Sequence, residues 1–499
     1  MPLFRTLTLT SAIALAAGPA LAEVTPTEIW DDWQSLLANY GAEVSFDRTS
    51  NQGDSLSIIG LTAEFAVVDG SSSWDIGTLT FNGNSDGSVT VVMEDEMALT
   101  IAMSGPEDQE GSVGMTMRMP GAEIIASGSM DALRYDFDYP TIELTEFTIE
   151  GDDVPDDIPV EISIAMSALD GFLEFTDPDT RAYISENTIA LITMAMAFQG
   201  ETAEQGAGAF NLTMKDLNQT TTGTMGTIAA NMSMAQMIEA GTRQVGTGTH
   251  GEVTYDFNID TPDGSFQMAA AAMSGEISGA ITDNGISYGG TTNDVTMSIS
   301  GSTIPLPPLT FKMAETGGTF AIPLVPGDDA QPFALAFKIA GLEINDMLWG
   351  MVDPVGQLPR DPINLIIDTS GNLTILEDFT APDYAESPEP GIPGTIEDLN
   401  INALQLSIAG AELTGDGAFV FDNSMGMPMP TGVANLMLTG GNGLLDTLVG
   451  MGLVPEEQAT GVRMMLGLFA RPGEGEDTLQ STIEMKEDGS VLANGQRIR

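Results

Sequence analysis
TIELTEFTIEG, Thr141 to Gly151, sets acids between apolar residues, as a strand does when one face is packed and the other is wet. Period two dominates the chain. GSVTVVM, ALTIAMS, GMTMRM, PVEISIAMS, EVTYDFNID, DVTMSIS and LQLSIAG all alternate, and the Asn-Gly, Asp-Gly and Gly-Gly steps between such runs suit hairpin turns. The expected fold is mainly β, one or more long curved antiparallel sheets with a few amphipathic helices near the N-terminus and in the C-terminal part.

The 499 residues carry 72 acids against 15 bases. Arg5, the apolar Leu7 to Ala17 and the small-residue site Ala20-Leu21-Ala22 form a secretory signal peptide, so a mature periplasmic chain is expected from Glu23. Without Arg5 the balance is 14 − 72 = −58. That charge repels nucleic acid and anionic headgroups, and neither is an expected partner. It reads as a solvated surface suited to a salty or calcium-bearing exterior. Cysteine is absent, which removes disulfides, thiolate metal sites and lipid attachment, and no cofactor or metal site is expected. After the leader, the longest apolar run is Ile189 to Phe198, about half of the roughly 18 residues a membrane helix requires.

Helices are expected at the two ends. Thr25 suits an N-cap, Pro26 the first helical position, Glu28 a capping box and Gly41 a stop, with Ile29, Trp33, Leu36 and Tyr40 on one apolar face. A second helical region spans Gly443 to Arg471, starting at Pro455-Glu456-Glu457, with Ala459, Val462, Leu466 and Phe469 as its stripe. A closing hairpin turns at Asp488-Gly489. Punctuation divides the chain into a leader (1–22), an N-terminal β-rich region (23–301), a central β region (302–380), a Pro- and Gly-rich linker (381–395) and a C-terminal part (396–499). PVEISIAMSALDGFLEFTDPDT and PFALAFKIAGLEINDMLWGMVDPVG share a strand, a glycine step, a mixed apolar stretch and a final Asp-Pro, a faint strand-and-helix repeat.

Four motifs offer chemistry. GISYG, Gly285 to Gly289, fits the serine-hydrolase pattern with Ser287 as nucleophile, but turn signals flank it and the single histidine, His250, precedes it. Without a base the hydroxyl is a poor nucleophile. NGNSDG, Asn82 to Gly87, resembles the start of a calcium loop, yet Met93 stands where a bidentate Glu is needed, so a hairpin turn is expected. His250 itself is expected in the glycine-rich turn GTGTHGE. The 30 methionines are the oddity of the composition. Exported Met clusters can offer thioethers to Cu(I), while on a strand they build an adaptable apolar surface. Met115, Met117 and Met119 are expected on one strand face, with similar stripes at Met194 and Met196 and at Met232 and Met234.

The remaining motif is a corner. Trp349 to Pro362 places Arg360 between two Asp-Pro steps; Leu348 to Val352 reads as a helical turn ended by Asp353-Pro354, because proline disfavours helix in the residue before it. Arg360 and Asp361 then lead into the strand INLIIDTSG. A guanidinium there can pair with a carboxylate or cap carbonyls, a structural role. This stretch, with the C-terminal GLVPEEQATGVRMMLGLFARPGEGEDTLQSTIEMKEDGSVLANGQRIR, resembles an uncharacterised exported bacterial family, domain of unknown function 2125, over about the last 170 residues. The resemblance implies export and no catalytic residue. More loosely, the layout is similar to periplasmic proteins with long curved sheets that handle lipids or assist envelope assembly.

Together these observations point to a non-enzymatic envelope protein whose apolar, Met-rich face takes lipid-like or polypeptide ligands. The alternatives are an outer-membrane β-barrel, for which aromatic girdles are sparse at 6% aromatic residues, and a hydrolase using Ser287.

Overall fold
Thr25 caps the first helix, α1 (Pro26–Asn39): its hydroxyl accepts from the Glu28 N–H, and the Glu28 carboxylate accepts from the Thr25 N–H. The buried face is turned from the expected one. Ile29, Trp30 and Asp32 are buried, Trp33 is half-buried and Tyr40 is exposed. Asp32 sets this rotation, accepting from the Tyr135 hydroxyl at 2.8 Å and from Arg181 at 2.5 Å.

The structure is a computed structural model that describes residues 24–499 apart from 68–69, 105–109, 152–159, 201–205, 230–231, 305, 383, 385–392 and 425. The expected leader and cleavage site lie outside the described residues, as does most of the expected linker. After α1 come β1 (Ala42–Ser45), β2 (Arg48–Gln52), β3 (Ser55–Val67), β4 (Gly70–Gly83), β5 (Val89–Val92), β6 (Glu96–Ser104), β7 (Glu110–Arg118), β8 (Glu123–Ser129) and β9 (Ala132–Gly151). The middle holds β10 (Val160–Asp177), β11 (Ala182–Gln199), β12 (Ala207–Thr224), α2 (Met234–Glu239), β13 (Arg243–His250), β14 (Val253–Thr261), β15 (Gly264–Ala272) and β16 (Ser274–Thr282). Then follow β17 (Gly285–Gly301), β18 (Leu309–Ile322), β19 (Gln331–Ile344), α3 (Asp346–Val352), β20 (Ile363–Ile375), β21 (Gly394–Ile408), β22 (Ala411–Asp422) and β23 (Met429–Thr439). Helices α4 (Gly441–Gly450) and α5 (Glu456–Phe469) precede β24 (Arg471–Pro472), β25 (Thr478–Met485), β26 (Val491–Ala493) and β27 (Gln496–Arg497).

The chain is mainly β, one large antiparallel sheet with five helices among the described residues. Pairing crosses the expected boundaries: β17 pairs with β18 across residue 302, and β20 with β21 across 381–395, so neither divides the sheet. The N-terminal strands have the densest core, where Ile29 and Trp30 of α1 meet Phe81, Val91, Leu133 and Tyr135. Trp33 stacks edge-on against Phe81 at 5.6 Å between centroids.

Strand order supplies a repeat that the sequence comparison did not locate. Long β4 forks: its first half pairs with β6 and its second with β5; β6 pairs with β7, β5 with β8, and both branches rejoin on β9. The same six pairings recur with β12 forking to β14 and β13, β14 pairing with β15, β13 with β16, and both rejoining on β17. The expected repeat fails in its second half, because Leu169 to Phe175 continue as strand in β10 whereas Asp346 to Val352 form α3. The Asn345 side chain caps α3 by accepting from Leu348 N–H; its counterpart stretch has no such cap.

Where the second ring forks, the long strands bend through left-handed residues: Asp216 on β12 (φ 52°) and Asp294 on β17 (φ 52°). The bend extends to neighbouring strands through Ala168 on β10 (φ 50°) and Gly341 on β19 (φ 66°). A line of kinks therefore crosses the sheet and divides its long strands into two halves. His250 ends β13 at this line, buried, with Nδ1 2.9 Å from the Gly251 carbonyl oxygen. It is the last strand residue before the short Gly251-Glu252 link to β14, where a glycine-rich turn is expected. Gly275, its cross-strand partner, leaves room for the ring: a Cβ there would lie 2.2 Å from Nε2.

Candidate functional site: one face with two characters
Register joins apolar residues into a row that runs over eleven strands. Met97 stands opposite Met117, then follow Leu144, Ile164, Met194, Leu212, Tyr255, Ala270, Met297, Phe311 and Ile344, each directly opposite the next. A parallel row runs Ile162, Met196, Phe210, Phe257, Met268, Ile299 and Leu309. At about 4.8 Å per strand the longer row spans roughly 50 Å. Met194, Met196 and Tyr255 are 37%, 43% and 38% exposed, so the face is open to solvent in its middle. The reverse face of the same half is polar or small: Ala165, Thr193, Thr213, Thr254, Ala271, Thr296, Lys312 and Glu343 pair in register. The Thr213 and Thr254 hydroxyls hydrogen-bond at 2.6 Å. Alternation therefore sorts the sheet as the sequence implies, with the apolar row half-buried over most of its length and exposed at Met194, Met196 and Tyr255.

Beyond the kink line the character of the strands changes. A cavity of about 960 Å³ is lined by residues of β10, β11, β12, β13, β16, β17, β18, β19 and β20. Three adjacent rows line it. One runs Asp170, Thr188, Asn218, Thr249, Glu276, Thr291, Gly317, Lys338 and Ile366; another runs Phe172, Glu186, Thr220, Thr247, Ser278, Gly289, Thr319, Ala336 and Asp368; the row between them, from Gly171 and Asn187 through Gln219, Gly248 and Ile277 to Phe337 and Ile367, alternates to the other side of the strands. A single cavity shared by nine neighbouring strands requires the sheet to curl around it. Glycine permits that close approach at Gly317, where a Cβ would lie 2.9 Å from the Gly290 carbonyl oxygen.

Of the methionines singled out in the sequence, Met117, Met194 and Met196 fall on the apolar face, and Met115 shares it one step along β7. Met115 and Met117 also pack against the N-terminal core. Met119 lies past the end of β7 and is buried in that core, 6% exposed. Met232 and Met234 belong elsewhere. MSMAQM does not form a strand: Ser233 caps α2 in a capping box with Gln236, and that local hydrogen bonding overrides the short period-two pattern. The cavity residues were missed because Thr, Asn and Gly on a strand carry no motif; their common face is visible only once register is known.

The other motifs are occupied by structure. Ser287 lies inside β17 opposite Ala280, with strand on both sides, and His250 is on another row. In the turn after β4, Asp86 accepts from the Ser88 hydroxyl and N–H at 2.7 and 3.1 Å, which holds its carboxyl below the usual range. At the Trp349–Pro362 corner, Asp353 is fully buried and accepts from the Gln357 and Leu358 N–H groups at 2.9 and 2.8 Å. The Gln357 hydrogen bond, then that from Leu358, lowers its pKa. Arg360 donates to Asp346 at 2.6 Å, on the surface. Trp349 contributes its carbonyl to the Asp353 N–H at 2.7 Å, while Pro354 and Asp361 are exposed.

No group of three or more His, Asp or Glu among the described residues is arranged to hold a metal ion, and no described helix is long and apolar enough to cross a membrane. Comparison with family models, with curated proteins and with solved structures gave no match.

Proposed function
We propose that this is an exported, non-enzymatic envelope protein, kin to the exported family it resembles, that binds the apolar part of lipid-like ligands on its apolar face. The observation that carries this reading is the register-aligned apolar row from Met97 to Ile344, partly exposed in its middle. Contiguous exposed apolar surface marks interaction sites, and flexible thioethers adapt to chains of varied shape. Burial of roughly 200–300 Å² of ligand surface would contribute about 5–8 kcal/mol before entropic costs, compatible with micromolar binding.

Titration with a fluorescent fatty acid tests it. Saturable binding by the folded protein, weakened at least roughly tenfold in Met194→Asp/Met196→Asp with an unchanged melting curve, is the expected result. No saturable binding by the wild type sinks the reading. Cell fractionation separates it from a β-barrel, which would stay with outer membranes through a high-salt wash, and mass analysis of the exported protein should find Glu23 at the N-terminus.

A further inference from the structure
Resting on that reading, we infer that the ligand is an amphiphile with a cationic head: its chain runs parallel to β11 across the Met194 and Met196 rows and its head sits in the neighbouring cavity. The two sites share strands, and the acidic and hydroxyl residues that line the cavity leave those strands on the side of the apolar rows. On β11, Glu186 and Thr188 line the cavity while Met194 and Met196 lie in the apolar rows. All four are an even number of residues apart, and no residue between them is left-handed, so their side chains leave the same side of the sheet. From Thr188 to Met196 the strand rises about 26 Å, a length suited to a head followed by one extended alkyl chain.

Charge selects the head. Asp170, Glu186, Glu276 and Asp368 line the cavity, and none of them forms an ion pair among the described residues. The cavity's one cation, Lys338, is already held by Glu315 at 2.7 Å. A carboxylate head would meet like charge there; a quaternary ammonium would meet carboxylates and hydroxyls.

The experiment compares dodecyltrimethylammonium, dodecyldimethylamine oxide and dodecanoate, each below its micelle concentration, by calorimetry in about 0.5 M salt, where screening limits the field of distant charges to a few ångströms. The cation should bind roughly tenfold or more tighter than the carboxylate, with the amine oxide between. Glu186→Gln/Glu276→Gln should remove most of that gap while changing amine-oxide affinity less than about twofold. Glu456→Gln/Glu457→Gln removes the same charge from α5 and should leave the gap intact. Equal affinities for the three probes overturn the cationic-head inference, as does a gap that survives the Glu186/Glu276 change or falls equally with the α5 change. If none of the three binds, it is the apolar-face reading itself that fails.

Discussion

Arg181 reaches across 149 residues of sequence to the Asp32 carboxylate, 2.5 Å away, and so ties the β10–β11 turn to the first helix. Asp32 is 4% exposed in its side chain, takes a second hydrogen bond from Tyr135, and Arg181 also lies over the Phe175 ring at 3.9 Å. Nε and Nη2 of Arg181 are buried without partners, so the guanidinium depends on this one carboxylate. Asp32→Ala should cost about 3–5 kcal/mol by leaving a buried cation unpaired. Urea unfolding measures this; a loss under about 1 kcal/mol would show that the pair does not anchor α1.

The same cluster sets an alkaline limit. Burial first, then the Asp32 charge, pushes the Tyr135 hydroxyl well above the ordinary phenol range. A raised folded pKa means the stabilisation is whole below the unfolded value of about 10 and is lost as pH rises beyond it. At the acid end, Asp353 has a lowered pKa, so its contribution is present above about 4 and lost as pH falls through its folded value. Melting temperature against pH should therefore fall at both ends, and Tyr135→Phe should flatten the alkaline side alone.

At the corner, the ranking of two substitutions is decided by burial. The Arg360–Asp346 pair is 38% and 89% exposed in its side chains, and such pairs are worth about 0–1 kcal/mol. Asp353→Ala strips two backbone N–H groups of their acceptor in a fully buried position. Its loss of stability in chemical denaturation should exceed that of Arg360→Ala; the reverse order would return the corner to Arg360.

Ala168 adopts a left-handed conformation that costs an L-residue with a Cβ about 1–2 kcal/mol. Ala168→Gly relieves it, partly offset by the greater freedom of glycine in the unfolded chain. A net gain of about 0.5–1 kcal/mol is expected from denaturant titration. Destabilisation would mean that the Ala168 methyl is needed for packing at the kink line.

How much of this was written in the sequence differs from residue to residue. Alternation in segments such as Ile189 to Phe198 announced the strands, and Thr25 with Glu28 announced α1, because both signals are local. TIELTEFTIEG also held a finer one. Its apolar positions step from Ile142 and Leu144 to Phe147 and Ile149, and the phase slip falls at Glu146, whose φ is 55° and where the β7–β9 register shifts. Asp216 and Asp294 are of a type that tolerates such a backbone; Ala168 gives no sign of it. The forks were illegible, since which strand β4 or β12 pairs with depends on contacts far along the chain. The cavity followed from the forks and was hidden with them.

The duplicated ring carries an implication for how such a sheet varies. Each block opens and closes on a long antiparallel strand, β4 and β9 in one, β12 and β17 in the other, and β10 and β11 join the two blocks edge to edge through ordinary antiparallel pairing. Adding or losing a block alters the extent of the surface without disturbing the pairing inside those that remain. Residues on either side of the bend, in the blocks and in the strands between and beyond them, set the polarity of that surface. Reach and chemical preference are thereby separate variables of this architecture, open to change one at a time.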